Sequence, residues 1–305
     1  MLTPGRPPDD RGGDVRTRRT REALTGWALL APSLLGTVAF LLVPVAVALW
    51  LSLQRWDLVS PARWAGLDNY ATVLTDAGVR HSFAVTLLFT VLVIPVQTAL
   101  GLFVAVLLAR RLPGSTFFRV LYVVPWICAP LVVGLVWRWV FDPSTGALNA
   151  VLGTRVEWLT SHTLALPAVA FVTVWTQVGY VALFFLAGLA GIPDQLADAA
   201  RVDGAGPWRV FWSITLPLLR PTTSFVLITG VISSFQVFDT VYAMTRGGPG
   251  GATSLIAYEI YSEAFTALRM GRAAAIAVLL TVVLVVLTVA QRLWFGRRST
   301  YEVAA

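Results

Sequence analysis

Residues 196–221, from Leu196 to Pro221, read LADAARVDGAGPWRVFWSITLPLLRP, a long polar segment lying between hydrophobic runs. Small residues at Ala199 and Ala200 precede Asp203-Gly204-Ala205, and Phe211, Ile214 and Leu216-Pro217 follow at helical intervals. The pattern predicts two short helices joined by a turn. Gly204 suits the turn because glycine takes positive φ without steric cost. Pro207 is tolerated in the first turn of the following helix, where a missing N–H does no harm. Pro217 and Pro221 are expected to stop that helix before the next apolar run.

The surrounding chain is too apolar for a soluble protein. Of its 305 residues 57% are hydrophobic, and mean hydropathy is +0.74, against an apolar share of about half in soluble domains. A polytopic membrane protein is the expectation. All 23 basic residues are arginine, which excludes a Walker A lysine, a Schiff base and a lysine general base. The +7 charge does not gather into one patch, so orientation in a membrane explains it better than nucleic acid does. The single cysteine, Cys128, cannot form an intrachain disulfide and reads as a small core hydrophobe.

Taken in order, residues 1–24 read as a disordered tail, rich in Pro, Gly, Arg and Asp. A six-helix membrane domain is expected over 25–299, with a short tail at 300–305. The apolar runs place spans at about Trp27–Leu53, Phe83–Ala109, Thr116–Val140, Leu164–Ala190, Thr222–Thr245 and Ala273–Phe295. The first is too long for a signal-peptide core. The segment from Arg55 to Ser82 carries interfacial aromatics, and Leu112-Pro113-Gly114 makes a tight turn. Fifteen arginines fall in the tail, the turn near 110–119, the 196–221 loop and the C-terminus, against eight in the opposite loops. This bias puts both termini and the polar segment in the cytoplasm of a bacterial cell, the chain being multi-pass in its inner membrane.

Catalytic chemistry finds little support. His81 and His162 stand alone in loops, and no His, Cys, Asp or Glu cluster has metal spacing. Gly247-Gly248-Pro249-Gly250-Gly251 reads as a flexible turn, and no cofactor is expected. The fourth and fifth spans say more. Thr173, Thr176, Gln177 and Tyr180 share a helical face, as do Ser233, Gln236 and Thr240, with Ser234 and Asp239 beside them. Such groups should face protein or a watered cavity rather than lipid. Mixed with Trp175, Phe184, Phe235 and Phe238, they suit a sugar, whose hydroxyls need hydrogen bonds and whose C–H faces lie on rings. Hydrogen bonding between helices accounts for the same polar residues equally well. Asp239 could pair with Arg246 or meet a ligand.

Residues 196–221 closely resemble the coupling loop of the inner-membrane permease subunits of ABC importers, a pattern of Glu-Ala-Ala, two residues, Asp-Gly-Ala, then Phe, Ile and Leu-Pro. Ala199, Ala200, Asp203, Gly204, Ala205, Phe211, Ile214, Leu216 and Pro217 match; Asp198 replaces the glutamate, keeping the charge with one methylene less reach. After residue 25 the chain resembles the carbohydrate-uptake branch, the maltose and glycerol-phosphate type. Leu30-Ala31-Pro32, Asn69-Tyr70, Val124-Pro125, Val237-Phe238-Asp239 and Gly247-Gly248-Pro249 with Thr253 carry that likeness.

The resemblance implies an all-α membrane protein of the type I importer permease fold, with a cytoplasmic two-helix coupling loop. It implies a second homologous permease, two ATP-binding subunits that bind the ATP, and an extracytoplasmic sugar-binding protein. Asp198 would pair with a cation on the ATPase, and Ala199 and Ala200 would permit close approach. Positions that hold sugar in the maltose-type relative fall on Gln177, Tyr180, Ser233, Ser234 and Val237, to which Gln236 and Asp239 are added from the polar face. Only Tyr180 keeps that relative's chemistry, so maltose itself is not implied; arginine-rich relatives include amino-sugar importers. A secondary transporter or channel would leave the coupling-loop spacing unexplained. A permease for polyamine or phosphate is the nearer alternative, and a membrane enzyme would need a catalytic cluster that this sequence lacks.

Overall fold

The structure, a computed structural model, describes residues 25–110 and 114–296. The expected tails at 1–24 and 300–305 and part of the turn at 112–114 lie outside them. Four helices are long and apolar enough to cross a membrane: α1 (Thr25–Ser52), α3 (Ala77–Ala109), α7 (Ala165–Ala190) and α13 (Met270–Gly296). Two bent pairs add up to two more spans. In one, α4 (Ser115–Ile127) meets α5 (Pro130–Val140) at 95°; in the other, α9 (Pro207–Leu218) meets α10 (Arg220–Phe235) at 64°.

The expected third span, Thr116–Val140, is bent within itself at Cys128-Ala129, whereas the 64° bend falls just before the expected fifth span, Thr222–Thr245. Proline removes an N–H and pushes its predecessor out of helical geometry. Ala129, just before Pro130, is accordingly extended at φ −58°, ψ 124°, and Cys128 follows suit at ψ 144°. The fifth span breaks differently: α10 ends at Phe235, Gln236–Phe238 are irregular, and α11 (Asp239–Met244) resumes beyond. No proline marks that break.

Where a terminus is capped, the helix runs longer than its apolar run suggests. Asp76 accepts a 3.0 Å hydrogen bond from the Val79 N–H, so α3 begins at Ala77 instead of Phe83. The preceding segment is also ordered. Gln54–Arg55 (β1) pairs antiparallel with Arg63–Trp64 (β2), and α2 (Asp68–Thr75) follows. The buried Asn69 amide donates to the carbonyls of Ser52 and Gln54, each at 2.8 Å, and ties α2 to the end of α1.

The core forms where α3 lies along α7, with Phe89, Val93, Val169, Val172 and Phe185 buried. Helices approach this closely where glycine removes the obstacle. A β-carbon at Gly101 would overlap Val181, and one at Gly179 would overlap the Tyr122 carbonyl of α4. A second cluster, including Val73, Val79, Phe235 and Ile276, packs α2, α3 and α10 against α13. By contrast α1 buries only Ser52 and turns its apolar surface outward, toward lipid or another subunit.

Polar contacts stitch one end of the bundle. Arg272 of α13 binds Asp76 at the cap of α3, and its Nε lies 3.1 Å from the Glu263 carboxylate. That N–H does not line up with the oxygen as a hydrogen bond. Arg269 completes the group with a 2.9 Å contact to Glu263, whose side chain is 6% exposed. Burial pushes the Glu263 carboxyl up, whereas hydrogen bonding to Arg272 holds Asp76 below the usual carboxylate range. At the same end stand α12 (Ile256–Tyr261) and the glycine loop 247–251. His81 Nε2 donates to the Gly251 carbonyl at 3.1 Å, and the His162 ring lies against Gly250. Both histidines, expected alone in loops, thus brace the loop expected to be flexible, His81 doing so from within α3. Thr253 anchors it further, donating to the Gly248 carbonyl at 2.7 Å.

Candidate functional site: a cavity at two helix breaks

Both breaks open onto one cavity. About 200 Å³ in volume, it is bounded by Pro125, Trp126, Cys128 and Pro130 at the first break, by Thr173, Thr176 and Gln177 on α7, and by Ser233 and Gln236–Thr240 at the second. Irregular backbone at membrane depth is tolerated where it lines such a space. A smaller hollow of about 20 Å³ continues from it past Gln177, Tyr180, Phe184 and Ser233.

The sequence-predicted residues divide by position. Gln177, Ser233, Gln236, Val237 and Asp239 line the cavity, and Tyr180 lines the smaller hollow. Tyr180 stacks on Trp126 with ring centroids 4.6 Å apart and meets Phe184 edge-on at 4.8 Å. Ser234 is placed elsewhere: 3% exposed, it hydrogen-bonds to Thr90 of α3 at 2.8 Å and donates to the Val231 carbonyl. It serves as interhelical glue. Of the two readings of Asp239, the pair with Arg246 is not formed among the described residues; the Arg246 guanidinium instead lies 5.9 Å from the Tyr242 ring centroid. The expectation of a buried Cys128 is likewise corrected, because the break exposes this thiol on the cavity wall.

Hydrogen-bond commitments separate the wall groups. The Thr173 and Thr176 hydroxyls donate to the α7 backbone, to Val169 and Thr173 at 3.0 and 2.8 Å. The side chains of Gln177, Ser233, Gln236 and Asp239 make no such bond among the described residues. Uncommitted donors and acceptors beside aromatic faces can hold a polar, non-planar solute.

The polar segment lies beyond the opposite end of α7. There α8 (Asp194–Val202) leads into a turn with Gly204 at φ +80°, closed by a 2.9 Å bond from the Ala205 N–H to the Ala200 carbonyl. Pro207 stands in the first turn of α9. The helix stops before the next span, as expected from Pro217 and Pro221: α9 ends at Leu218, between the two prolines. Pro217 lies within α9 and Pro221 in the first turn of α10, while the chain bends at the buried Leu219 between them. Asp198, Ala199, Asp203 and Gly204 are exposed, and Ala200, Ala205, Phe211 and Pro217 are half-buried. Asp198 pairs with Arg201 at 2.8 Å, both side chains about two-thirds exposed. Trp208 and Trp212 flank Phe211 and are themselves exposed, an aromatic group the spacing rules did not single out.

Sequence reasoning missed the α4–α5 wall entirely. Its signal was present in Pro125 and Pro130 bracketing Cys128-Ala129, a spacing that disfavours a straight helix.

This architecture recurs in solved structures. A bacterial ABC transporter involved in the import of the acidic polysaccharide alginate has a chain of the same fold, with a TM-score of 0.79 at 22% identity, covering 94% of this chain and 100% of that one. Among curated proteins, the sn-glycerol-3-phosphate transport system permease protein UgpA of Agrobacterium fabrum is 36% identical over 280 residues, 90% of this chain and 96% of that protein. The protein of the same name from Escherichia coli strain UTI89 is 36% identical over 281 residues, 90% and 95% of the two. The relatives are transport permeases rather than enzymes, and the family model for the binding-protein-dependent transport system inner membrane component matches residues 97–300. The chain belongs to that family of inner-membrane transport components.

Proposed function

We propose that this protein is the permease subunit of an ATP-driven importer that moves a carbohydrate or related polyol into the cytoplasm. The observation that carries the reading is a polar and aromatic cavity joined, through the single helix α10, to an exposed two-helix segment at one end of the bundle. A channel or secondary transporter has no use for that segment. A second homologous permease supplies the rest of the cavity, whose 200 Å³ falls short of the roughly 300–1,000 Å³ typical of a complete small-molecule site. Two ATP-binding subunits and an extracytoplasmic binding protein complete the assembly. The arginine bias supports a cytoplasmic side for both termini and for α8–α9, within reach of the ATPases.

In this mechanism ATP closes the ATPase dimer, and α8 with the Asp203-Gly204 turn receives the motion. It passes through α9 to α10, whose far end carries Ser233 into the cavity wall. Asp198, Ala199, Ala200, Asp203, Gly204, Ala205, Phe211 and Pro217 form the docking element. Gln177, Tyr180, Ser233, Gln236, Val237 and Asp239 contact solute, which the cavity takes up facing outward and releases facing inward. ATP drives the change only by binding the outward state more tightly.

The experiment is a pull-down from gently solubilised membranes, comparing wild type with Gly204→Val. Open space surrounds Gly204, so the substitution acts through its positive φ, at a local cost of about 1–2 kcal/mol. Wild type should recover an ATP-binding subunit and a second permease. The variant should insert normally, keep the second permease and lose the ATPase. Folded wild type that brings down no ATPase would refute the importer assembly.

A further inference from the structure

The smaller hollow lies between α7 and α10, on the side of the cavity nearer the polar segment, and Gln177 and Ser233 line both spaces. To its wall α3 contributes one residue, Gln97. Gln97 is 4% exposed, and its amide makes no hydrogen bond among the described residues. The other buried polar residues of α3 are all bonded: Ser82 to Ser254, Thr86 to the Ser82 carbonyl and Thr90 to Ser234. A buried amide without a partner is costly, the more so at membrane depth, where water is scarce. Gly230 of α10 gives this amide its room. A β-carbon there would stand 3.1 Å from both Gln97 Nε2 and Ile94 Cδ1, tighter than ordinary contact.

The size of the hollow decides what can satisfy the amide. A water-sized group needs about 10–15 Å³, so about 20 Å³ admits a single hydroxyl or water and excludes a sugar ring. Gln97 and Gln177 each offer such a group a donor and an acceptor, and Ser233 adds an uncommitted hydroxyl. The Thr229 hydroxyl is already given to the Phe225 carbonyl at 2.8 Å. Because Gln177 and Ser233 belong to both spaces, a solute held in the cavity can extend one hydroxyl into the hollow. We propose that the hollow is a hydroxyl-sized subsite and that Gln97, on a helix outside the fourth and fifth spans, is a further solute-contacting residue. With Gln177 and Ser233 it binds one hydroxyl of the carbohydrate, whose place water takes when the solute is absent. The proposal rests on the sugar-import reading above.

Cys128, the chain's only cysteine, lies on the wall of the adjoining cavity and reports its occupancy. In the assembled importer held in lipid nanodiscs, labelling of Cys128 by methyl methanethiosulfonate is followed by mass spectrometry in the presence of methyl glucoside or of its monodeoxy analogues. On wild type at least one analogue should protect about tenfold more weakly than the parent sugar, equivalent to about 1.4 kcal/mol. Gln97→Leu, close in volume and breaking no hydrogen bond among the described residues, should weaken protection by the parent about tenfold and remove the difference between parent and analogue. Gly230→Ala keeps the amide but crowds it, and should weaken protection by the parent about threefold. Unchanged protection in Gln97→Leu assigns the hollow to water alone and overturns the proposal. Equal protection of wild type by parent and every analogue overturns it too, as does a Gln97→Leu protein that still tells them apart. In each of these cases protection of wild type by the parent leaves the sugar-import reading intact. Wild type protected by none of the sugars refutes that reading, and the subsite with it.

Discussion

The two ends of the bundle are built on opposite principles. At the end that holds the glycine loop, long-range polar contacts converge: Arg272 joins Asp76 and Glu263, His81 reaches Gly251, and Asn69 bonds back to Ser52 and Gln54. At the other end α8 and α9 project with little buried surface, their one ion pair among the described residues an exposed contact between neighbours in sequence. A stitched end completes its own interactions. An unstitched end keeps aromatic and small side chains exposed, as the proposed docking element requires.

The sharpest way to break this contrast is to cut the stitched end. Arg272→Ala leaves Asp76 and the nearly buried Glu263 without their shared cation, and loss of one partner from a buried network costs about 3–5 kcal/mol. Asp76 is 32% exposed, so the lower part of that range is expected in thermal unfolding of the detergent-solubilised protein. Acid should reveal the same network. Asp76, held low by Arg272, contributes stability that is complete above about pH 4 and disappears as pH falls through its folded-state value. Glu263, raised by burial, has the opposite sign, so protonating it on the way down from neutrality relieves a cost. Stability should therefore hold or rise slightly on mild acidification and drop below about pH 4. Arg272→Ala should flatten the acid limb.

A smaller effect is expected in the middle of the bundle. Ser234→Ala removes the hydrogen bond to Thr90 and should cost about 0.6–1.7 kcal/mol, read as a lower melting temperature with solute uptake unchanged. Impaired uptake at normal stability would return Ser234 to the cavity wall. The smallest effect belongs to the unstitched end. Arg201→Ala removes the exposed partner of Asp198 and should change stability by about 0–1 kcal/mol. A loss as large as that of Arg272→Ala would show the two ends to be alike after all.

What could be read from sequence follows the same division. The polar segment was legible because its signals are local: a glycine at positive φ, a proline in a first helical turn, and small residues at set distances. Long apolar runs likewise announced α1, α3, α7 and α13. The breaks were harder. Hydropathy is blind to backbone direction, so Thr116–Val140 looked continuous although two prolines stood five apart within it. At Gln236–Phe238 nothing local signals irregularity; Phe235 and Phe238 are drawn into different packing environments on either side. Polar residues such as Ser233 and Ser234 are adjacent and chemically identical, and only the position of α3 decides that one lines the cavity and the other holds two helices together.

The helix α10 has a mechanical meaning of its own. Its 16 residues, at a rise of about 1.5 Å each, make a rod about 24 Å long between the bend at Leu219 and the break after Phe235. With joints at both ends, such a rod is a lever. A tilt of about 10° about Leu219 sweeps the Ser233 end through about 4 Å, on the order of the width of a hydroxyl-lined wall contact, without breaking a hydrogen bond inside the rod. In the proposed mechanism a small displacement at the polar segment would thereby be magnified at the cavity wall.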